Sequence, residues 1–424
     1  MGESLVLATV SIHGWAMATA AVVAATCGLV GTLLVVRRLS LLGDAIGHAV
    51  LPGVALAVLA GGRPGGPLVF LGAVAAAVLT VWLTRLIRAG AGPAEDAGAG
   101  VVFTTLFAVG VVIVAAAPPG SHLDPACVLH GDLAFLPFDT VPLLGLDVPR
   151  GFVAGAVTLA ALAAAAVCTW KLQVFTAFDP EAARAAGLPV VAVTAGLLGA
   201  TALATVASFD AVGAVLVVAL LVVPAAAAEL LTRRLHRTAM LAMLLAATGA
   251  CLGYALAWRW NTSAAGMIAV VLGFEYLVAV LLAPEDGLVA RGVGRLRLAW
   301  RVAREDRLAA AWRAEEAGQP AAAAPANWLA GAAERWLEFS GGLTRGGGGL
   351  RLSPLGRREA EMIVRSHRLW EKWLGRHADL PLDHLHPPAE WVEHHLGAEM
   401  RRRLEAETAG DASEPHGREI PREA

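Results

Sequence analysis

Residues 211–231 read AVGAVLVVALLVVPAAAAELL, with Glu229 the one ionisable side chain in the run. About 20 mostly apolar residues in a helix cross the hydrocarbon core of a bilayer. Lipid offers the backbone no hydrogen bonds, so such a run must satisfy its own as a helix. Working outward, eight further segments have the same character: 15–36, 39–60, 67–88, 98–117, 151–170, 189–207, 238–258 and 263–283. The expected fold is an all-α polytopic membrane protein of nine transmembrane helices, or eight if the first segment is set aside, followed by a small, mainly helical cytosolic C-terminal domain. The whole chain of 424 residues is 57% hydrophobic with a mean hydropathy of +0.63, above what a soluble globular protein carries.

Charge divides the chain. Residues 1–284 hold 12 Lys/Arg and 13 Asp/Glu, whereas the shorter stretch 285–424 holds 21 and 22. The near-zero net charge therefore conceals a membrane block and a polar tail. Expected boundaries are 1–285 for the transmembrane block, 286–350 for a linker and degenerate winged-helix-like region, 351–408 for a tail domain and 409–424 for a disordered end. The first apolar run is long and closes on Arg37-Arg38, which reads as a retained span and not a cleaved signal. Arg37-Arg38, Arg85 with Arg88, Lys171 with Arg184, and Arg233-Arg234 with Arg237 lie at alternate turns, so the positive-inside rule places these turns and the tail in the cytosol of a bacterial inner membrane. The four cysteines are scattered, with no disulfide framework and no Cys-based zinc pattern.

Two connections stand out. The outer loop 118–150 is rich in Pro and Asp and is expected to hold a small helix. In the inner loop 172–188, Asp179 can cap a helix, Pro180 suits its first position and Gly187 ends it, which places a short helix outside the membrane. Beyond Pro284, residues 291–316 are Arg-rich and amphipathic. Residues 317–326 and 341–349 form a linker and a glycine turn, and 353–408 are helical in character.

A nucleotide-binding P-loop needs Lys after Gly and before Ser or Thr. Only Lys171 and Lys372 are present, and they follow Trp170 and Glu371, so the chain has no nucleotide site of that kind. Any ATP-driven work must come from a partner.

The stretch RRLSLLGDAIGHAVLPG (37–53) sets Asp44 and His48 four apart on one helix face. An ionisable pair in a membrane segment is expensive unless it lines a pathway or has a partner, and carboxylate with imidazole suits manganese, iron or zinc. The plainer alternative is that Asp44 caps a broken helix and His48 satisfies a neighbour. Gly43, Gly47 and Gly53 permit close backbone approach, and Pro52 bends the span.

This stretch resembles the signature of the permeases of metal-type ABC transporters, the zinc/manganese/iron branch. Four further blocks are similar to that family in the same order: HLDPACVLHGDL (122–133), TAFDPEAARAAGL (176–188), SFDAVGAVLVVALLVVPAAAA (208–228) and TSAAGMIAVVLGF (262–274). The resemblance covers about residues 10–285. It implies a permease subunit that works as a homodimer with a separate ABC ATPase and an extracytoplasmic metal-binding protein. It also implies metal handling by Asp44 and His48, ATPase coupling through Phe178, Asp179, Pro180, Glu181, Ala182, Ala183 and Gly187, and an outward docking face at 122–133. The form of that last block is closer to the manganese and iron members. Glu229 and His236, two helical turns apart, are either additional path ligands or part of an interfacial ion pair with Arg233-Arg234. Asp210 is expected at the outer edge, and Glu275 as a polar contact between helices.

In the tail, His367 and Glu371 are four apart, and His386, Glu390, Glu393 and His394 fall on one face of a helix expected from Pro387-Pro388 onward. Two facing helices would supply a mixed nitrogen and oxygen site; an exposed, salt-bridged helical pair is the alternative. SPLGRREAEMIVRSHRLWEKWL (353–374) with HLHPPAEWVEHHLGAEM (384–400) resembles the metal-binding and dimerisation domain of diphtheria-toxin-repressor-type metalloregulators. The resemblance implies His367, Glu371, His386, Glu390, Glu393 and His394 as ligands, with Glu390 where iron-type members place Cys. Oxygen in place of sulfur favours manganese. REDRLAAAW (304–312) matches the first helix of that family with Asp306 at a ligand position but Ala309 where a second carboxylate is expected. GGLTRGGGGLRLSPLG (341–356) is similar to its wing. The helix before it, NWLAGAAERWLEF (327–339), lacks the base-reading and phosphate-binding groups that a recognition helix needs, so DNA binding is not expected. The arginines of 291–313 are read as a flank near lipid headgroups. The function implied is ATP-driven import of a divalent transition metal, manganese ahead of iron or zinc, with a tail that senses it. The alternatives are a membrane-tethered, metal-dependent transcription regulator, for which that helix is poorly equipped, and a transporter needing no ATPase, which leaves 176–188 without a role.

Overall fold

The computed structural model describes residues 2–62, 66–91, 95–118, 133, 136–143, 145–285, 287–319, 321, 327–346, 349–378, 381, 384–385, 389, 392–408 and 416–421. They form two compact units, Met1–Ala290 and Arg291–Ala424.

In the first unit the apolar runs become helices: α1 (Gly2–Val36), α2 (Ser40–Ala49), α3 (Leu51–Leu59), α4 (Pro67–Ala91) and α5 (Glu95–Ala115), then a hairpin of β1 (Thr140–Leu143) and β2 (Leu146–Pro149). They continue as α6 (Arg150–Phe178), α7 (Pro180–Ala185), α8 (Val190–Leu231), α9 (Leu235–Trp260) and α10 (Ala264–Leu282). The threonines of α1 return their hydroxyls to the carbonyls four residues back, Thr19 to Trp15, Thr26 to Val22 and Thr32 to Gly28, each at 2.8 Å. These three hydroxyls are thus satisfied within the helix itself. The first span, the one most easily discounted from sequence, is the most enclosed: 78% of its apolar window is buried, against 17–39% for the other long spans. It lies against α6, α8 and α9 and carries the core residues Ala20, Ala24, Val30 and Leu34.

Among the described residues, six helices are long and apolar enough to cross a membrane, and three further apolar helices are shorter: 47–59, 100–115 and 216–231. Two of the nine expected segments are joined in one helix with a kink. Residues 190–231 run without a polar turn, but Gly213 adopts φ +73°, ψ 163°, a conformation that only glycine adopts readily, and breaks the helical course there. The segment 39–60 is instead interrupted at Val50, just before Pro52, whose ring clashes with the preceding helical turn. In the loop 118–150, residues 119–132 lie outside the described set. The part that is described holds a 3₁₀ turn at Leu136–Phe138 and the β1–β2 hairpin, with Thr140 opposite Pro149 and Leu143 opposite Leu146, where a small helix was expected. Gly145, at φ +84°, closes the hairpin turn.

The second unit consists of most of α11 (Leu288–Glu316), α12 (Trp328–Phe339), the antiparallel pair β3 (Leu343–Gly346) and β4 (Gly349–Leu352), α13 (Pro354–His377) and α14 (Ala398–Glu407). Leu308, Leu337, Leu343, Leu350 and Ala360 form its core, and Leu369, Leu396 and Leu404 join α13 to α14. Two expectations are corrected here. The Arg-rich 291–313 segment is not one flank. Its second half is buried in the tail core, where Arg307 pairs with Glu334 at 2.9 Å and Arg304 with Glu359 at 3.7 Å; only 291–299 is exposed all round. The end of the chain is also partly ordered. Arg368 and Arg365 of α13 donate to the carbonyls of Glu419 and Pro421, because guanidinium groups on a largely buried face need acceptors.

Candidate metal centres

Helix α2 carries Asp44 and His48 one turn apart. The Asp44 side chain lies outside the described set. The His48 ring packs against two aromatic rings of α5, stacked on Phe103 at 6.0 Å with 26° between the ring planes and edge-on to Phe107 at 5.2 Å between centroids. At Gly47 α2 meets α8: a Cβ there would lie 3.4 Å from Val218 Cγ2 and 4.0 Å from Thr205 Cγ2. Thr205 is fully buried, and its hydroxyl has no hydrogen-bond partner among the described residues. Close approach also fixes the next turn, since a Cβ on Gly53 would fall 2.1 Å from the carbonyl oxygen of Gly72 in α4.

The inner loop folds as its sequence dictates. Asp179 is extended (φ −142°, ψ 91°), and its Oδ1 accepts from the Ala182 N–H at 2.9 Å; Pro180 opens α7 and Gly187 leaves it at φ +77°. Phe178 is 90% exposed, with Glu181 and Arg184 paired beside it on the outer face. Ala183, however, is fully buried against the chain's own helices, so an approaching partner would meet Phe178, Glu181, Arg184 and Ala185. Arg37 at the end of α1 braces this loop. Its guanidinium donates to Gln173 Oε1 at 2.6 Å, to Thr176 Oγ1 at 2.6 Å and to Thr194 Oγ1 at 3.4 Å, touching the helices on both sides of α7.

In the second unit, Ser353 caps α13 by accepting from the Gly356 N–H at 3.0 Å, and that helix presents His367 and Glu371 to its buried side. His367 Nε2 lies 3.1 Å from Glu371 Oε1, and its Nδ1 lies 2.6 Å from Glu393 Oε2. Glu393 and His394 sit in a 3₁₀ turn, Glu393–His395, instead of the continuous helix expected; His386 and Glu390 lie outside the described residues. Across from that turn, α11 brings Glu305 2.7 Å from His394 Nδ1 and Asp306 3.1 Å from His394 Nε2. Ligand atoms of Asp306, Glu393 and His394 all fall within 4.8 Å of one another. Arg313 approaches Glu393 at 3.8 Å and offsets part of the acidic charge. Burial alone would lower both imidazole pKa values. The carboxylates outweigh it: Glu371 and Glu393 push His367 up to about 8, and Asp306 with Glu305 pushes His394 up to about 9. Each proton thus occupies a place suited to a cation. The donor set of hard oxygen with imidazole nitrogen fits manganese or ferrous iron.

Residues 10–283 match the model of the ABC 3 transport family. The chain belongs to that family. It is 40% identical over 290 residues to the manganese transport system membrane protein MntD of Bacillus subtilis, covering 68% of this chain and 98% of that protein. The zinc transport system membrane protein TroD of Treponema pallidum is 35% identical across 64% of this chain and 74% of its own length. The chelated iron transport system membrane protein YfeC of Yersinia pestis is 30% identical across 64% and 86%. PsaBC from Streptococcus pneumoniae, solved in complex with Fab, shares the fold with a TM-score of 0.57 at 27% identity, over 64% of this chain and 92% of that one. Residues 353–422 match a second model, the metal-binding and dimerisation domain of the iron-dependent repressors, so the match runs into the end once expected to be disordered. The chain is thus an ABC 3 family membrane protein carrying a repressor-type metal-binding domain.

Within this ABC 3 protein, Glu229 and His236 do not share a helix face. Helix α8 ends at Leu231 and α9 begins at Leu235, with Thr232 and Arg234 extended between them. Both side chains are exposed, and Arg233 pairs with Glu285 at 3.3 Å. Glu275 bridges two helices by accepting from Thr248 at 3.2 Å, and the Asp210 side chain is outside the described set. Sequence reading missed Phe103, Phe107, Thr205 and Glu305. The i, i+4 spacing of the two phenylalanines was a usable signal; Thr205 and Glu305 had none.

Proposed function

We propose that this chain is the membrane-spanning permease subunit of an ATP-driven importer of a divalent transition metal, manganese ahead of iron or zinc, and that its tail binds the same metal and regulates transport. The observation that carries the reading is one chain that joins an ABC 3 membrane unit, whose relatives are named for manganese, zinc and chelated iron, to a repressor-type domain whose Glu393 and His394 converge with Asp306 of α11. The membrane unit works as a homodimer with a separate ABC ATPase seated on α7, and an extracytoplasmic protein delivers the ion. Asp44 and His48 contact the metal in transit. In the cytosolic tail, a resident metal would neutralise carboxylates that otherwise repel, tying α11, α13 and the 393–395 turn together. His367, Glu371, His386, Glu390, Glu393 and His394 hold it together with Asp306, while Glu305 orients His394 from the other ring nitrogen. That ordering alters transport only by favouring one transport state over another.

The test is radiomanganese uptake by cells co-expressing the chain with its ATPase, as internal manganese is raised. Wild type slows as the tail fills, whereas a chain truncated after Glu285 keeps transporting. Superimposed curves would remove the regulatory half of the proposal, and absence of uptake of manganese, iron and zinc would remove the first half. A DNA-binding regulator is disfavoured by α12, whose outer face presents Trp328, Trp336 and Phe339.

A further inference from the structure

We infer that the tail docks on anionic lipid headgroups through an aromatic and arginine surface built from the first half of α11 and the outer face of α12. On α11, Val293, Leu296 and Trp300 recur at i, i+3 and i+7 and so line one side of the helix; Leu296 is 56% exposed. Trp300 meets Trp336 of α12 edge to face, with centroids 6.4 Å apart, which carries the apolar stripe onto the second helix. There Trp328 and Phe339, three turns apart on the same face, are 73% and 92% exposed. Arg297 and Arg301 border this stripe, and Arg291 and Arg295 lie on the far side of the same helix. All four are exposed and make no ion pair among the described residues, unlike Arg304, Arg307 and Arg313 farther along the same helix.

Three observations choose the occupant. Arginine on the polar sides with Trp, Phe and Leu on the apolar side is the composition of a helix that lies in a membrane interface. Helix α10, an apolar helix of membrane-spanning length, ends at Leu282 and α11 begins at Leu288. The five intervening residues reach at most about 20 Å, so the start of α11 is tethered within that distance of the end of α10. The charge is complementary to an anionic leaflet, where each arginine near the surface changes lipid affinity by roughly fivefold. Nucleic acid is a poor fit, since the outer face of α12 offers aromatic rings and Arg335 where base-reading amides would be needed. This inference goes beyond the transport reading. It rests on the chain being a multi-pass membrane protein, not on the cargo or on metal sensing.

The experiment uses the full chain, with its native cysteines replaced, reconstituted in bilayer nanodiscs with and without phosphatidylglycerol. A fluorophore is attached through Leu296→Cys, Phe339→Cys or, on α14 in a different cluster of the tail, Met400→Cys. Lipids carrying a quencher at the headgroup–acyl boundary report contact. Quenching several-fold stronger at 296 and 339 than at 400 supports the assignment, provided it weakens without phosphatidylglycerol, in high salt and in the combined Arg291→Gln, Arg295→Gln, Arg297→Gln and Arg301→Gln chain. Equal quenching at all three positions overturns it. So does energy transfer between labels at 339 on two chains without lipid quenching, which would mean that a second copy covers this face.

Discussion

Two regions of this chain combine carboxylate with imidazole, and they do so differently. On α2, His48 packs against the rings of Phe103 and Phe107, with Asp44 one turn away. In the tail, His394 lies among Glu305, Asp306 and Glu393, and His367 between Glu371 and Glu393. An ion in transit must be bound well enough to enter and weakly enough to leave. On the function proposed above, an imidazole against aromatic rings on α2 suits passage, whereas the tail, where Glu305, Asp306, Glu371 and Glu393 each lie within 3.1 Å of a nitrogen of His367 or His394, suits a resident ion. On that proposal the number of carboxylates beside each imidazole is the difference between the two.

The largest effect that would break this comparison is on transport. Asp44→Ala or His48→Ala should reduce manganese uptake to background while membrane insertion and ATPase assembly persist; near-normal uptake in both would show that the path runs elsewhere. Next, Phe178→Glu should detach the ATPase during co-purification, because Phe178 is the most exposed large hydrophobic residue of the inner loop. Ala183→Trp is a poorer probe, since that buried site would be disrupted from within. The contrast sharpens with Glu393→Gln, since Glu393 approaches both His367 and His394. Manganese affinity of the full chain, followed by titration calorimetry, should fall about 10- to 100-fold, with uptake at low internal metal unchanged. An unchanged affinity would place the resident ion on other residues. The smallest effect is expected from Ser353→Ala, which removes the cap of α13 and should lower tail stability by about 1 kcal/mol, read as earlier loss of protection in native-state hydrogen exchange over 354–377, with transport unaffected.

What was legible in the sequence follows a single physical division. Membrane helices announce themselves because hydrocarbon forces each one to carry about 20 apolar residues in an unbroken run. The α7 helix was readable to its cap, since Asp179, Pro180 and Gly187 act on their own backbone. The pairs Asp44–His48 and His367–Glu371 were readable because four residues along a helix return to the same face. Where the chain leaves one helix, that rule loses its hold. Glu229 and His236 looked like neighbours at seven residues, but the extended Thr232 and Arg234 part them.

The sequence by itself thus determined the membrane block, its inner loop helix, the polar tail and most residues of both candidate centres. Only tertiary structure decided that α1 is the enclosed helix and not a marginal one, and that half of an arginine-rich segment belongs to a buried core. Only tertiary structure brought Glu305 and Asp306 across to His394, 89 and 88 residues away, because those contacts depend on how α11 crosses the 393–395 turn. Local rules reach one helical turn; burial and long-range pairing are properties of the whole packed unit.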